Sequence, residues 1–261
     1  MDLATLIGLV LAWGAFIASV IMEGGDLKTM MIPSAAVLVF GGTLGATMMC
    51  FPLSAMIDLP NVTKQAFMSK KEDVGHIIKM LVGFAEKARR EGLLALEEEV
   101  RAVDDKFLRK GIQLAIDGTD PELVREIMET EITFLGKRHH EGANIYGTMG
   151  GFAPTLGVIG TVSGLVHMLA NLSDPGTMGP SIAAAFIATL YGVSSANLIF
   201  LPLSNKLKVI SHEEVLVREI ITEGILAIQA GDNPRIVEEK LKSFLSPKLR
   251  RPFEEAAAAK A

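Results

Sequence analysis

Residues 151–169 read GFAPTLGVIGTVSGLVHML, and no Asp, Glu, Lys or Arg falls between Glu141 and Asp174. A helix of that length and apolarity spans a hydrocarbon core of about 30 Å. Yet the stretch holds Pro154, four glycines, two threonines and a serine, which a plain lipid anchor does not need. Outward from it, four runs lack any Asp, Glu, Lys or Arg: 3–22, 30–51, 148–172 and 181–203. Each predicts one transmembrane helix. The expected fold is an all-α integral membrane protein with four such helices. Its expected divisions are helices 1 and 2 (1–51), a cytoplasmic helical domain (52–147), helices 3 and 4 (148–203), and C-terminal helices with a mobile tail (204–261).

The composition agrees. Of 261 residues, 49% are hydrophobic and the mean hydropathy is +0.38, with the apolar residues gathered in blocks rather than mixed. The first block lacks a basic flank and a small-residue cleavage site, so it does not read as a removed signal peptide. The lone Cys50 excludes an internal disulfide or a cysteine cluster. A net charge of −5 carries no nucleic-acid signature. Apart from Lys28, every Lys and Arg lies within 64–138 or from Lys206 onward. The positive-inside rule puts both regions in the cytoplasm, with both termini inside and the short loops 23–29 and 173–180 outside.

The cytoplasmic segments read as helices. Val74, Ile77, Ile78, Leu81 and Phe84 recur on one helical face that ends at Gly92. LLALEEEVRAV and KFLRKGIQLAI continue in shorter pieces, and TDPELVREIMETEITFLGKRHH opens a helix at Pro121 that runs on into the third apolar block. A further amphipathic helix ends near Gly231, a shorter one covers NPRIVEEKLKSFLSP, and EEAAAAKA is a low-complexity tail.

Inside the apolar blocks, Gly157, Gly160 and Gly164 recur at helical spacing, and Gly41 and Gly45 make a second small-xxx-small step. Small residues let helices approach closely in lipid, so these glycines read as a packing face within the chain or between copies. Thr161 and Thr189 place hydroxyls at membrane depth. Each either bonds the carbonyl one turn back or lines a wet path that coordinates a cation. Pro154 and Pro202, near the cytoplasmic ends of their blocks, remove backbone donors; a simple helix end would also account for Pro202. No ionisable carboxylate lies in any block, so an ion relay here needs one from another chain. Enzyme chemistry finds no support. Ser163 and His167 lie one turn apart on one helix without oxyanion donors, and His139 and His140 project about 100° apart. No phosphate-binding loop is present.

The order of two membrane helices, a helical loop, GFAPTLGVIGTVSGLVHML and AAAFIATLYGV resembles the MotA/PomA family of flagellar stator proteins. EKARREGLLALEEE and GDNPRIVEEKLKSFLSP resemble it too, so the likeness covers nearly the whole chain. TolQ/ExbB-type energisers of outer-membrane processes are related but generally carry a single helix before the loop. The resemblance implies a homo-oligomer, a pentamer around two copies of a single-helix, peptidoglycan-binding MotB/PomB-type partner. That partner brings the membrane Asp, and the ring turns against the rotor protein FliG. By motif, Pro154 and Pro202 match prolines that couple ion flow to torque, and Thr161 and Thr189 match positions lining the ion path beside Gly157. Arg89, Glu97 and Glu131 match rotor-contact charges. The resemblance implies no cofactor beyond the transported Na⁺ or H⁺. Thr161 favours Na⁺ slightly, with a possible Na⁺ near Thr161 and Thr189, because a hydroxyl oxygen suits a hard cation that sheds water.

Overall fold

The structure, a computed structural model, describes residues 3–68, 73–171, 175–247 and 250. Lys70 and Lys71, part of the second short loop and the low-complexity tail lie outside them. Among the described residues every regular element is helical. In chain order these are α1 (Leu3–Met22), α2 (Pro33–Met48), α3 (Leu53–Ile57), α4 (Leu59–Met68), α5 (Val74–Glu91) and α6 (Glu97–Arg101). There follow α7 (Lys106–Ile116), α8 (Pro121–Ala170), α9 (Pro175–Ser195), α10 (Leu201–Gln229) and α11 (Pro234–Lys242). The chain divides into two compact units, 1–70 with 139–210, and 71–138 with 211–261.

The helices α1, α8 and the rod formed by α9 and α10 are long and apolar enough to cross a membrane, and α8 and α10 each contribute residues to both units. The 30–51 run becomes a shorter apolar helix, α2, which at 1.5 Å per residue is about 24 Å long. Its bounds have local causes: Pro33 occupies the first turn, and the chain breaks at Phe51–Pro52 before α3. Segments 52–68 and 139–147 pack with the membrane helices rather than with the second unit. Ala66, Ala143, Ile145, Tyr146, Met149 and Leu207 share one core, and the hydroxyls of Thr63 and Tyr146 bond to each other. Of α1 only Val20 is buried.

The second unit has a conventional apolar core. Ile78, Leu81, Leu96, Leu108, Ile112, Met128, Ile220, Ile221, Ile225 and Leu241 are fully buried. Its helix ends follow the polar residues and glycines of the sequence. Asp73 accepts from His76 N–H, Asp105 from Leu108 N–H, and Asn233 from Arg235 N–H. Gly231 takes φ +73, and Asp232 N–H bonds Ala227 O at 3.1 Å, a left-handed turn that closes α10.

Candidate functional site

Within the first unit the glycines of α8 meet small residues of α9. A Cβ on Gly157 would stand 2.8 Å from Ala188 O, one on Gly160 2.6 Å from Ala188 Cβ, and one on Gly164 2.8 Å from Ala185 Cβ. From the other side, a Cβ on Gly192 would stand 2.4 Å from Ala153 O. Backbone here lies against backbone, the approach that small residues permit in lipid. Gly41 and Gly45 differ, for within this chain their Cβ positions face open space. The α2 glycine that meets another helix is Gly42, 3.2 Å from the Leu156 side chain.

That approach brings Thr161 and Thr189 together. Their hydroxyls bond to each other. Thr161 Oγ1 also lies 2.9 Å from Ala185 O and 3.2 Å from Gly157 O, and Thr189 Oγ1 lies 3.3 Å from Gly157 O. The one-turn-back bond from Thr161 to Gly157 is thus present, but as one strand of a larger cluster. Two hydroxyl protons, and the two helical N–H groups that the Gly157 and Ala185 carbonyls accept one turn on, meet four oxygens with two lone pairs each. After every possible donation, acceptor capacity is left over, which suits a positive charge. Gly157 is central, since its carbonyl is shared and its missing Cβ admits Thr189.

The prolines do not end their helices. Pro154 lies inside α8. Pro202 is the second residue of α10, joined to α9 by a π-turn at Ala196–Phe200. A wider turn ahead of a proline relieves the clash between its ring and the carbonyl four residues back. Ala153, beside Pro154, faces Gly192, whereas Leu201, beside Pro202, faces Gly150. The two prolines therefore sit about one turn apart along α8 rather than at one level. Ser163 and His167 are both exposed.

Sequence reading missed Tyr191. Its hydroxyl accepts from Ile32 N–H at 3.3 Å and donates to Met30 O. A tyrosine in an apolar run was the available signal, since a buried phenol needs a polar partner.

Comparison with known proteins decides the family. The Motility protein A N-terminal family matches residues 6–92, and the MotA/TolQ/ExbB proton channel family matches residues 99–220. Motility protein A of Bacillus subtilis is 37% identical over 260 residues, 99% of this chain and 96% of that protein. Chemotaxis protein PomA of Vibrio alginolyticus is 37% identical over 246 residues, 94% of this chain and 96% of that one. The chain belongs to the MotA/PomA family of flagellar stator proteins. The fold agrees with the flagellar MotAB stator complex of Bacillus subtilis at TM-score 0.89 and 37% identity, covering 95% of this chain and 98% of that one. It agrees with C. jejuni MotAB at TM-score 0.89 and 33% identity, covering 95% and 97%. MotA/PomA is a stator and ion-channel family, not an enzyme family.

Against this MotA/PomA background, the charges of the second unit fall into two groups. Arg89, at the end of α5, is exposed and forms no ion pair among the described residues. Glu97 and Glu131 are engaged, Glu97 with Arg101 at 2.7 Å and Glu131 with Lys110 at 2.6 Å. Glu99, a neighbour of Glu97, is tied to Lys87 at 2.8 Å, and this hydrogen bond holds the Lys87 ammonium above its ordinary pKa. Arg89 and Glu97 flank the turn at Gly92, where φ is +87, while Glu131 lies on α8.

Proposed function

We propose that this chain is the ion-conducting stator subunit of a bacterial flagellar motor, in which inward cation flow past Thr161 and Thr189 drives torque on the rotor. The observation that carries the reading is the four-oxygen cluster of Thr161, Thr189, Gly157 and Ala185, which has spare acceptor capacity at membrane depth. No carboxylate lies in the apolar runs, so the ion-carrying Asp comes from a MotB/PomB-type partner. The two solved structures compared above are MotAB complexes, which supports that partner and an oligomeric ring, five copies in this reading. The uncovered surface of α1 and the open faces of Gly41 and Gly45 are available to lipid and to neighbouring chains. In this reading α2 is the fourth span, both termini are cytoplasmic, and Arg89, Glu97 and Glu131 act on FliG. Pro154 and Pro202 transmit the ion-driven movement. Na⁺ is favoured over H⁺, because a hydroxyl–carbonyl cluster replaces the hydration shell of a hard cation while a proton needs no such cage. The TolQ/ExbB branch is the alternative, and the Motility protein A match over residues 6–92 favours the motor.

The test is swimming in cells whose only stator is this chain and its partner. Thr161→Ala with Thr189→Ala should abolish motility while the protein still accumulates in the membrane. Intact motility in the double variant would leave the cluster a mere packing contact. Full speed in sodium-free medium across a range of pH would overturn Na⁺ as the coupling ion.

A further inference from the structure

Tyr191 lies two residues beyond Thr189 on α9, which places it about 200° around the helix from the oxygen cluster. It faces α2, where its ring lies beside Phe40 with centroids 5.9 Å apart. Its hydroxyl spans the start of that helix, taking the Ile32 N–H and giving its proton to Met30 O. Ile32 caps α2 and has no capping hydrogen bond from its own side chain. A helix start in an apolar environment needs partners for its free N–H groups, and here one comes from a residue 159 positions away. The loop ending at Met30 is itself ordered: Asp26 accepts from Lys28 N–H at 2.9 Å, and Thr29 Oγ1 donates to Asp26 O at 2.6 Å. That loop carries Glu23, Asp26 and Lys28. Packing of α2 on α9 does not depend on the hydroxyl, because Ala35, Val39 and Ala188 form a buried cluster between the two helices.

We propose that Tyr191 is a positioning residue for the ion site: its hydroxyl holds the charged loop 23–32 at a fixed place beside α9, where an incoming cation passes on its way to Thr161 and Thr189. The proposal rests on the stator reading for the direction of ion entry, but the hydrogen bonds themselves do not. Removing the hydroxyl releases the loop while the Phe40 contact and the α2–α9 cluster hold the helix. Cation uptake should then suffer without loss of the cluster's own oxygens.

The experiment compares the wild type with Tyr191→Phe in the purified complex and in swimming cells. Amide hydrogen exchange at Ile32 should accelerate about tenfold or more, with the amides of 36–40 unchanged. The sodium concentration for half-maximal speed should rise about threefold or more while speed at saturating sodium is retained. Unchanged Ile32 exchange overturns the proposal, as does an unchanged sodium response. A Tyr191→Phe chain that fails to accumulate overturns it too, because the hydroxyl is then needed for folding rather than positioning. If wild-type speed ignores sodium, the Na⁺ reading falls; half-maximal speed is then titrated with protons, and the same threefold criterion decides. The Ile32 amide reports on the latch in either case.

Discussion

The core of the second unit and the α8–α9 contact within the first are built from opposite kinds of side chain. In the second unit ten large residues, among them Ile78, Leu81, Met128, Ile220 and Ile225, are fully buried in one core. In the first unit the contact between α8 and α9 is made by Gly157, Gly160, Gly164, Ala185, Ala188 and Gly192. The surroundings explain the contrast. In water, burying apolar area contributes about 25 cal/mol per Å², so bulky side chains stabilise a fold. In lipid that drive is absent between helices, and close van der Waals approach takes over. The close approach also has a functional consequence, since only helices this near can put two threonine hydroxyls and two carbonyls in one cluster.

One substitution type sharpens the comparison most. Gly192→Ala drives a methyl into a backbone carbonyl at 2.4 Å, and Gly111→Ala meets only the flexible ends of Ile225 and Met128 at 2.5 and 2.6 Å. The first should cost about 3 kcal/mol or more and the second about 1 kcal/mol. Thermal unfolding of the purified complex reads both, and equal shifts would break the distinction. Next in size is Glu223, which accepts from Arg125 at 2.7 Å and pairs with Lys240 at 2.6 Å. Burial alone would push its carboxyl up, but the hydrogen bonds from Lys240 and Arg125 outweigh that and hold it below the ordinary value of 4.5. A carboxylate whose pKa is lowered by folding stabilises the fold above its unfolded value, and that stabilisation is lost as pH falls below it. Glu223→Gln should therefore cost about 1 kcal/mol at pH 7, after screening of the partly exposed Arg125, and less near pH 3. Stability measured against pH checks this, and an equal loss at both values would refute it. Smallest is Arg101→Ala, which removes an exposed pair with Glu97. It should shift stability by about 0.3 kcal/mol, and a change above about 1 kcal/mol in thermal melts would show Glu97 to be structural.

Much of the fold was legible because helix signals are local. The continuous α8 follows from the absence of any decisive breaker between Glu122 and Thr148, and Gly92 and Gly231 mark helix ends through positive φ. The 30–51 apolar run carries a shorter helix, Pro33–Met48, bounded by Pro33 on one side and by the break ahead of Pro52 on the other. Pro202 allows a helix end on sequence grounds, but the chain runs through a π-turn at Ala196–Phe200 into α10 without a break. Thr161 and Thr189 could be named as hydroxyls at membrane depth. Their bond to each other, and the role of the Gly157 carbonyl, depended on how α8 and α9 align.

From the order of residues alone come the long apolar runs, the helix bounds set by proline and glycine, the intramembrane hydroxyls and the missing carboxylate. Each of these is written in one continuous stretch of chain. The pairing of Gly192 with Ala153, the use of Gly42 where Gly41 and Gly45 face open space, the hold of Tyr191 on Ile32 and the ion pairs of Glu223 come from the folded chain. They join residues tens to more than a hundred positions apart. Such contacts depend on interhelical register and on distances of a few tenths of an ångström, which no local periodicity encodes.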